Sequence, residues 1–180
     1  MPNHDLIVKP KPILISVDVE TDGPAPGLFS MVELGAVVVE PSLGNGFHSL
    51  LKPISDTFDQ KALDISGRTR AETLSFPDAA RTMNDFAVWL ESMPGTPVFV
   101  SDNPFDWMFV CWYLWRVTGR CPFGHSGRNL ADLAKGMERD MNISMSDLRD
   151  APLDHNALED AKSNARILIN LFADGLKAPT

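Results

Sequence analysis

From Ile13 to Glu20 the chain alternates without a break: Ile13, Ile15, Val17 and Val19 fall on one face, and Leu14, Ser16, Asp18 and Glu20 on the other. A period of two with one wholly apolar face specifies a buried β-strand. The second face turns from apolar to acidic along its length, so any fold must give the far end of this strand a place for two carboxylates. Asp18 and Glu20, at i and i+2, leave the same side of the strand roughly 6.5–7 Å apart at the backbone. Carboxylates that close repel each other unless a cation lies between them or one keeps a proton. Oxygen donors with no cysteine beside them suit Mg²⁺ or Mn²⁺ better than Zn²⁺. Taken alone, the plainer reading is a pair of acids at the wet end of a strand.

The remaining pattern sets that strand in an α/β domain. Thr21 to Gly27, rich in Gly and Pro, reads as a loop. Met31 to Glu40 and Gly46 to Leu51 read as the next two strands of a meander, with Pro41 and Gly44 in the turn between them. Ala79, Met83, Phe86, Ala87 and Leu90 form a helical stripe ended by Pro94-Gly95. Pro97 to Val100 is a short apolar strand, followed by an aromatic helix from about Pro104 to Val117 with proline in its first turn. Trp112 and Trp115 on that helix read as core. Gly119 to Gly127 is a loop, Asn129 to Met137 a helix, and Ala157 to Phe172 a final helix with Leu158, Ala161, Ala165, Leu168 and Phe172 inward. A meander followed by helix, strand and helices predicts a mixed sheet with helices against it. Residues 1–12, polar and proline-punctuated, read as a flexible lead-in to one domain over 13–175.

Charge narrows the function. The net charge of −8, from 16 basic and 24 acidic residues, argues against gripping long nucleic acid on a broad basic surface. If four carboxylates face bound metal, −8 + 4 leaves −4, which two divalent cations bring near neutrality. Such a protein holds a short piece of strand at its site and little beyond. The N-terminus lacks a basic region followed by an apolar core, and no apolar stretch approaches a membrane span, so a cytoplasmic protein with no membrane partner is expected. Cys111 and Cys121 form no CxxC and read as reduced thiols.

Two further clusters carry chemistry. In Ser101-Asp102-Asn103-Pro104-Phe105-Asp106-Trp107, Asp102 reads as a plain helix N-cap and Asp106, in the first helical turn, is free for chemistry. In His155-Asn156-Ala157-Leu158-Glu159-Asp160-Ala161, Asn156 and Glu159 read as a capping box, which leaves Asp160 and His155. For His155 alone, a solvated loop histidine is an equal explanation. Glu33, on a buried strand near Asp18, is a supporting residue at most.

Read in order, DxE, then FD, then HxAxxDA, these clusters resemble the DEDD-type 3′–5′ exonucleases of the histidine subclass (DEDDh), the family of polymerase proofreading subunits and oligoribonucleases. Val32 to Val39 is similar to that family's second strand, and Ala131-Asp132-Leu133-Ala134 to the helix between its second and third motifs. Asp22, and Ser101-Asp102 in place of the usual His-Asn, depart from the pattern beside the pocket. The resemblance implies a ribonuclease-H-like mixed five-stranded sheet flanked by helices, and two metal ions, Mg²⁺ or Mn²⁺, about 3.5–4 Å apart. It implies Asp18 bridging both ions, with Glu20 and Asp160 completing the nucleophile side. Asp106 is implied to hold the leaving-group ion largely through water, and His155 to take the proton of the attacking water. Activity is then expected to fall in acid as the imidazole becomes protonated.

The implied partners are single-stranded DNA or RNA 3′ ends, with a homodimer among the assemblies the family shows. Thr21, Phe29, Phe105 and Trp107 are the candidates for holding the terminal nucleotide, by stacking in the case of the aromatics. Core packing is the plainer role of Phe105. Arg68 and Arg70 stand where strand phosphates could be met, or in a solvated loop. Gly119 to Gly127 is no phosphate loop, since it lacks the GxxxxGKS spacing. His4, His48 and His125 have no neighbours at metal-ligand spacing. The rival functions are a catalytically silent nucleic-acid-binding module of this fold and a metal-dependent nucleotide phosphatase.

Overall fold

A computed structural model describes residues 10–179; most of the lead-in assigned to residues 1–12, and His4 with it, lies outside the described residues. Strand β1 starts at Pro12, one residue ahead of the alternating run, and continues to Thr21. It pairs antiparallel with β2 (Met31–Val38), which pairs antiparallel with β3 (Gly46–Leu50). On its other side β1 pairs in parallel with β4 (Thr96–Ser101), and β4 in parallel with β5 (Gly127–Asn129). The order is β3-β2-β1-β4-β5, so the acidic strand is central in a mixed sheet of five strands among the described residues. At three residues, β5 is too short for any periodicity to reveal.

The helices follow in order: α1 (Gln60–Ile65), α2 (Arg70–Thr73), α3 (Ala79–Glu91), α4 (Pro104–Thr118), α5 (Leu130–Glu138), α6 (Met145–Leu148) and α7 (Ala157–Ala173). The two faces of β1 sort them into layers. Ile15, Val17 and Val19 pack with Phe99 of β4, Phe86 and Leu90 of α3, and Phe109, Tyr113 and Leu114 of α4. On the opposite face Leu14 and Val100 pack with Leu130 and Ala134 of α5 and with Ile167, Leu168 and Leu171 of α7. Asp18 and Glu20 share a face with Leu14 and therefore look toward α7. Trp115 corrects the sequence reading: it is 47% exposed, because α4 is apolar nearly all round while only its Phe109–Val110–Tyr113–Leu114 side meets the sheet.

Two details set the spacing of the site. The β1–β2 register slips between Glu20 and Thr21, where Val32 is the extra residue on β2. That bulge lets Leu34 and Met31, three apart, enter the same core, while Glu33 goes to the other face opposite Glu20. Gly35 lies opposite Asp18, and a Cβ there would fall 2.2 Å from the Ala157 carbonyl carbon. Only glycine allows the start of α7 to lie this close on β2. No helix of the described residues is long and apolar enough to cross a membrane.

Candidate active site

The parallel pairing of β1 with β4 ends at Ser16 and Val100, which leaves the last turn of β1 without a strand on that side. Asp106 fills the gap: the Val19 N–H donates to its Oδ1 at 3.3 Å. Asp106 arrives there because α4 begins immediately beyond β4. Asn103 caps the helix, its side chain accepting from the Phe105 N–H at 2.8 Å, and Pro104 sits in the first turn. The cap is thus Asn103, and the assignment of Asp102 to that role is corrected. Asp102 is free to turn inward, and its carboxylate lies with those of Asp18 and Asp106, one oxygen of each within 4.8 Å of the others.

The third motif sits at the N-terminus of α7. Asn156 caps it, accepting from the Glu159 N–H at 3.1 Å. The return half of the expected capping box is absent: Glu159 pairs with Lys162 at 2.7 Å, and the Asn156 N–H goes to Asp154 at 3.1 Å. Just before the cap, His155 takes a left-handed backbone with φ of 57°, which turns its ring toward β1. Its Nδ1 lies 3.8 Å from Glu20 Oε1, within range of charge but too long for a hydrogen bond. Glu20, His155 and Asp160 form a second group of ligand atoms within 4.8 Å of one another. The five residues singled out from sequence, Asp18, Glu20, Asp106, His155 and Asp160, are brought together, joined by Asp102.

Electrostatics single out this corner. The four acids Asp18, Glu20, Asp106 and Asp160 are each buried, while the imidazole is 44% exposed at the rim. Burial, followed by the charges of Asp106 and Glu20, pushes the Asp18 carboxyl well above the usual carboxylate range. Burial, then Asp160, raises Glu20 to about 8. Burial, then the charge of Asp102, raises Asp106, and burial, then Asp154, brings Asp160 to about 6. Asp106 Oδ2 is buried with no hydrogen-bond partner among the described residues. Buried carboxylates of this kind either keep protons, as the raised values describe, or take up a cation. An all-oxygen set with one imidazole at the rim fits hard divalent ions such as Mg²⁺ or Mn²⁺.

Other expected residues have structural partners. Arg68 pairs with the fully buried Glu33, whose other oxygen meets His48 Nε2 at 2.7 Å. Arg70 donates to Asp22 at 2.8 Å and to the Ser55 carbonyl, and Asp22 also accepts from the Ser30 N–H, so this departure from the family pattern ties down the loop after β1. Thr21 Oγ1 donates to the Gly23 carbonyl at 3.0 Å. Phe29 lies over Gly23, where a Cβ would come 2.0 Å from its ring. Phe105 packs on Phe109 and Trp107 on Phe99, each at a centroid distance of 5.0 Å. Sequence reasoning missed Asp102 and its partner Arg149. The signal for Asp102 was present: Asn103-Pro104 is the stronger cap-and-first-turn pair.

A central strand ending in acids, an acid in the first turn of the following parallel unit and a third motif on the last helix define a ribonuclease-H-like nuclease. The RNase_T family, described as an exonuclease, matches residues 15–168, and the chain belongs to it. It is a DEDD-type 3′–5′ exonuclease. The chain is 34% identical over 170 residues to the 3′-5′ DNA exonuclease Cap18 of Escherichia coli, covering 87% of this chain and 90% of that one. Its fold superposes on the nuclease domain of 3′hExo, a DEDDh family member bound to rAMP, with a TM-score of 0.70 at 12% identity over 97% of this chain and 98% of that one. It also superposes on cell-death related nuclease 4 (CRN-4), with a TM-score of 0.72 at 18% identity over 92% of this chain and 65% of that one.

Proposed function

We propose that the protein hydrolyses single-stranded DNA from its 3′ end to nucleoside 5′-monophosphates, using two divalent metal ions. The observation that carries the reading is the pair of ligand groups, Asp18–Asp102–Asp106 and Glu20–His155–Asp160, side by side at the end of β1. Asp18 and Asp106 would hold one ion, and Glu20 and Asp160 the other. When bound, such ions lower the pKa of a water and stabilise the departing 3′-oxygen. His155, on the exposed rim beside Glu20, takes the proton as the water oxygen bonds to phosphorus and the P–O3′ bond breaks. Its left-handed backbone holds the ring at the mouth of the site, where it can pass that proton to solvent. Thr21 and Phe29, at the end of β1 and just beyond it, are the groups offered to the terminal nucleotide, while Phe105 and Trp107 pack against the core. Among them Phe29, half-buried over Gly23, is the best placed to stack on a base.

The preference for DNA rests on the likeness to Cap18, whose name states a DNA substrate. One domain over 13–175 and a reducing cytoplasm, in which Cys111 and Cys121 stay free thiols, belong to the same proposal. The test is digestion of DNA and RNA oligomers of equal sequence, 3′-free and 3′-blocked, with Mg²⁺ or Mn²⁺, by wild type and Asp160→Ala. Trimming of the free DNA end to 5′-monophosphates by wild type alone is expected. Release of inorganic phosphate, trimming of blocked ends, or equal activity of Asp160→Ala would overturn the reading.

A further inference from the structure

Asp102 stands outside the four acids of the family pattern, yet its carboxylate is grouped with Asp18 and Asp106. Its Oδ1 accepts from Asn103 Nδ2 at 2.6 Å, and its Oδ2 accepts from Arg149 Nη2 at 2.8 Å. The same Nη2 donates to Asn164 Oδ1, on α7, at 3.0 Å. This is no surface pair: the Arg149 side chain is 8% exposed and that of Asp102 14%. Arg149 directly follows α6 and opens the segment that leads to His155 and α7. One guanidinium therefore joins the end of β4, the approach to His155 and the body of α7.

The count of charges agrees with this arrangement. Asp18, Glu20, Asp102, Asp106 and Asp160 put five acids in the two ligand groups, and Arg149 is the one arginine or lysine bonded to any of them among the described residues. The buried, partnerless Asp106 Oδ2 independently marks the Asp102 side of the site as short of a cation. We propose that Asp102 is a fifth acidic group of the metal site, serving the Asp18–Asp106 side, and that Arg149 is the positioning residue that holds it there and ties it to the segment bearing His155. The proposal rests on the two-metal reading above.

The experiment is Mn²⁺ titration of the metal-free protein, by calorimetry and by the signal of free Mn²⁺ in electron paramagnetic resonance, for wild type, Asp102→Asn, Arg149→Met and Arg149→Lys. Asp102→Asn removes the charge and keeps an acceptor for Arg149. Wild type is expected to bind two ions. Asp102→Asn and Arg149→Met should weaken one of the two by roughly tenfold or more, the usual effect of losing a group that orients ligands. With saturating Mn²⁺, Arg149→Met should lower kcat at unchanged KM for a DNA oligomer, and Arg149→Lys should recover most of it. Should Arg149→Met fail to fold, Asp102→Asn and Arg149→Lys carry the same test. Two ions bound by Asp102→Asn with wild-type affinities would overturn this inference and leave the two-metal reading standing. A wild type that binds no Mn²⁺ would overturn both.

Discussion

Glu20 and Glu33 face each other across β1 and β2, both buried, and their surroundings are opposite in kind. Glu33 has Arg68 on one oxygen and His48 on the other. Glu20 has no cation within hydrogen-bonding distance among the described residues: the imidazole of His155 lies at 3.8 Å, Arg68 acts on it from beyond Glu33, and the other charges acting on it are acids. The same division runs on: Asp22 has Arg70, whereas Asp18, Asp106 and Asp160 pair with no arginine or lysine among the described residues, and Asp102 stands at the border, grouped with Asp18 and Asp106 yet bonded to Arg149. A protein that pairs its supporting acids with arginine and leaves one corner unpaired has kept that corner for cations from solution.

The comparison breaks first in activity. Replacing His155 with Ala should lower kcat by about 10²–10⁴-fold, the usual worth of a general base, measured on a 3′-free DNA oligomer. Asp18→Asn should lose more than that, since on the proposed reading it removes a charged ligand from the middle of the acid cluster. In stability the order reverses. Glu33→Ala leaves Arg68 partly buried without its anion and should cost about 3 kcal/mol in urea unfolding of the metal-free protein. Asp18→Asn removes an unpaired buried charge and should raise metal-free stability. A Glu33→Ala variant as stable as wild type would erase the distinction.

Gly35→Ala acts on the geometry between the two regions, pressing a methyl group into the Ala157 backbone. It should cost about 1–3 kcal/mol. Because it moves the helix that carries Asp160, it should also weaken Mn²⁺ binding while the Glu33–Arg68 pair persists. The smallest effect is on pH. A carboxyl held at a raised pKa in the folded state keeps its proton more tightly when folded. Metal-free stability is therefore favoured in acid, and that advantage is lost as pH rises from the ordinary carboxylate range through about 6 for Asp160 and about 8 for Glu20. Thermal unfolding without metal should show Tm falling as pH is raised across this range, and saturating Mn²⁺ should flatten the fall.

Much of this was legible beforehand, for identifiable reasons. The alternation in β1 and the apolar stripes of α3 and α7 are long enough to reveal their buried faces, Pro104 marks the first turn that carries Asp106, and the Asn156 cap marks where Asp160 enters. What stayed hidden is non-periodic. The short α1, α2 and β5 have no pattern to read, and the bulge that places Met31 with Leu34 breaks the rule that would have found it. Arg149, 47 residues from Asp102, has no local sign of its partner. Arg68 and Arg70, two cations near a motif, invite assignment to substrate, yet both hold buried acids.

The early parting of β1 from β4 has one more consequence. Because their ladder stops at Ser16 and Val100, the end of β1 is flanked on that side by the first turn of α4, and Val19 bonds to the Asp106 side chain where a neighbouring strand would have offered backbone. The acid at this junction is thus tied to the central strand between Asp18 and Glu20, so any shift of α4 would be felt at both of them.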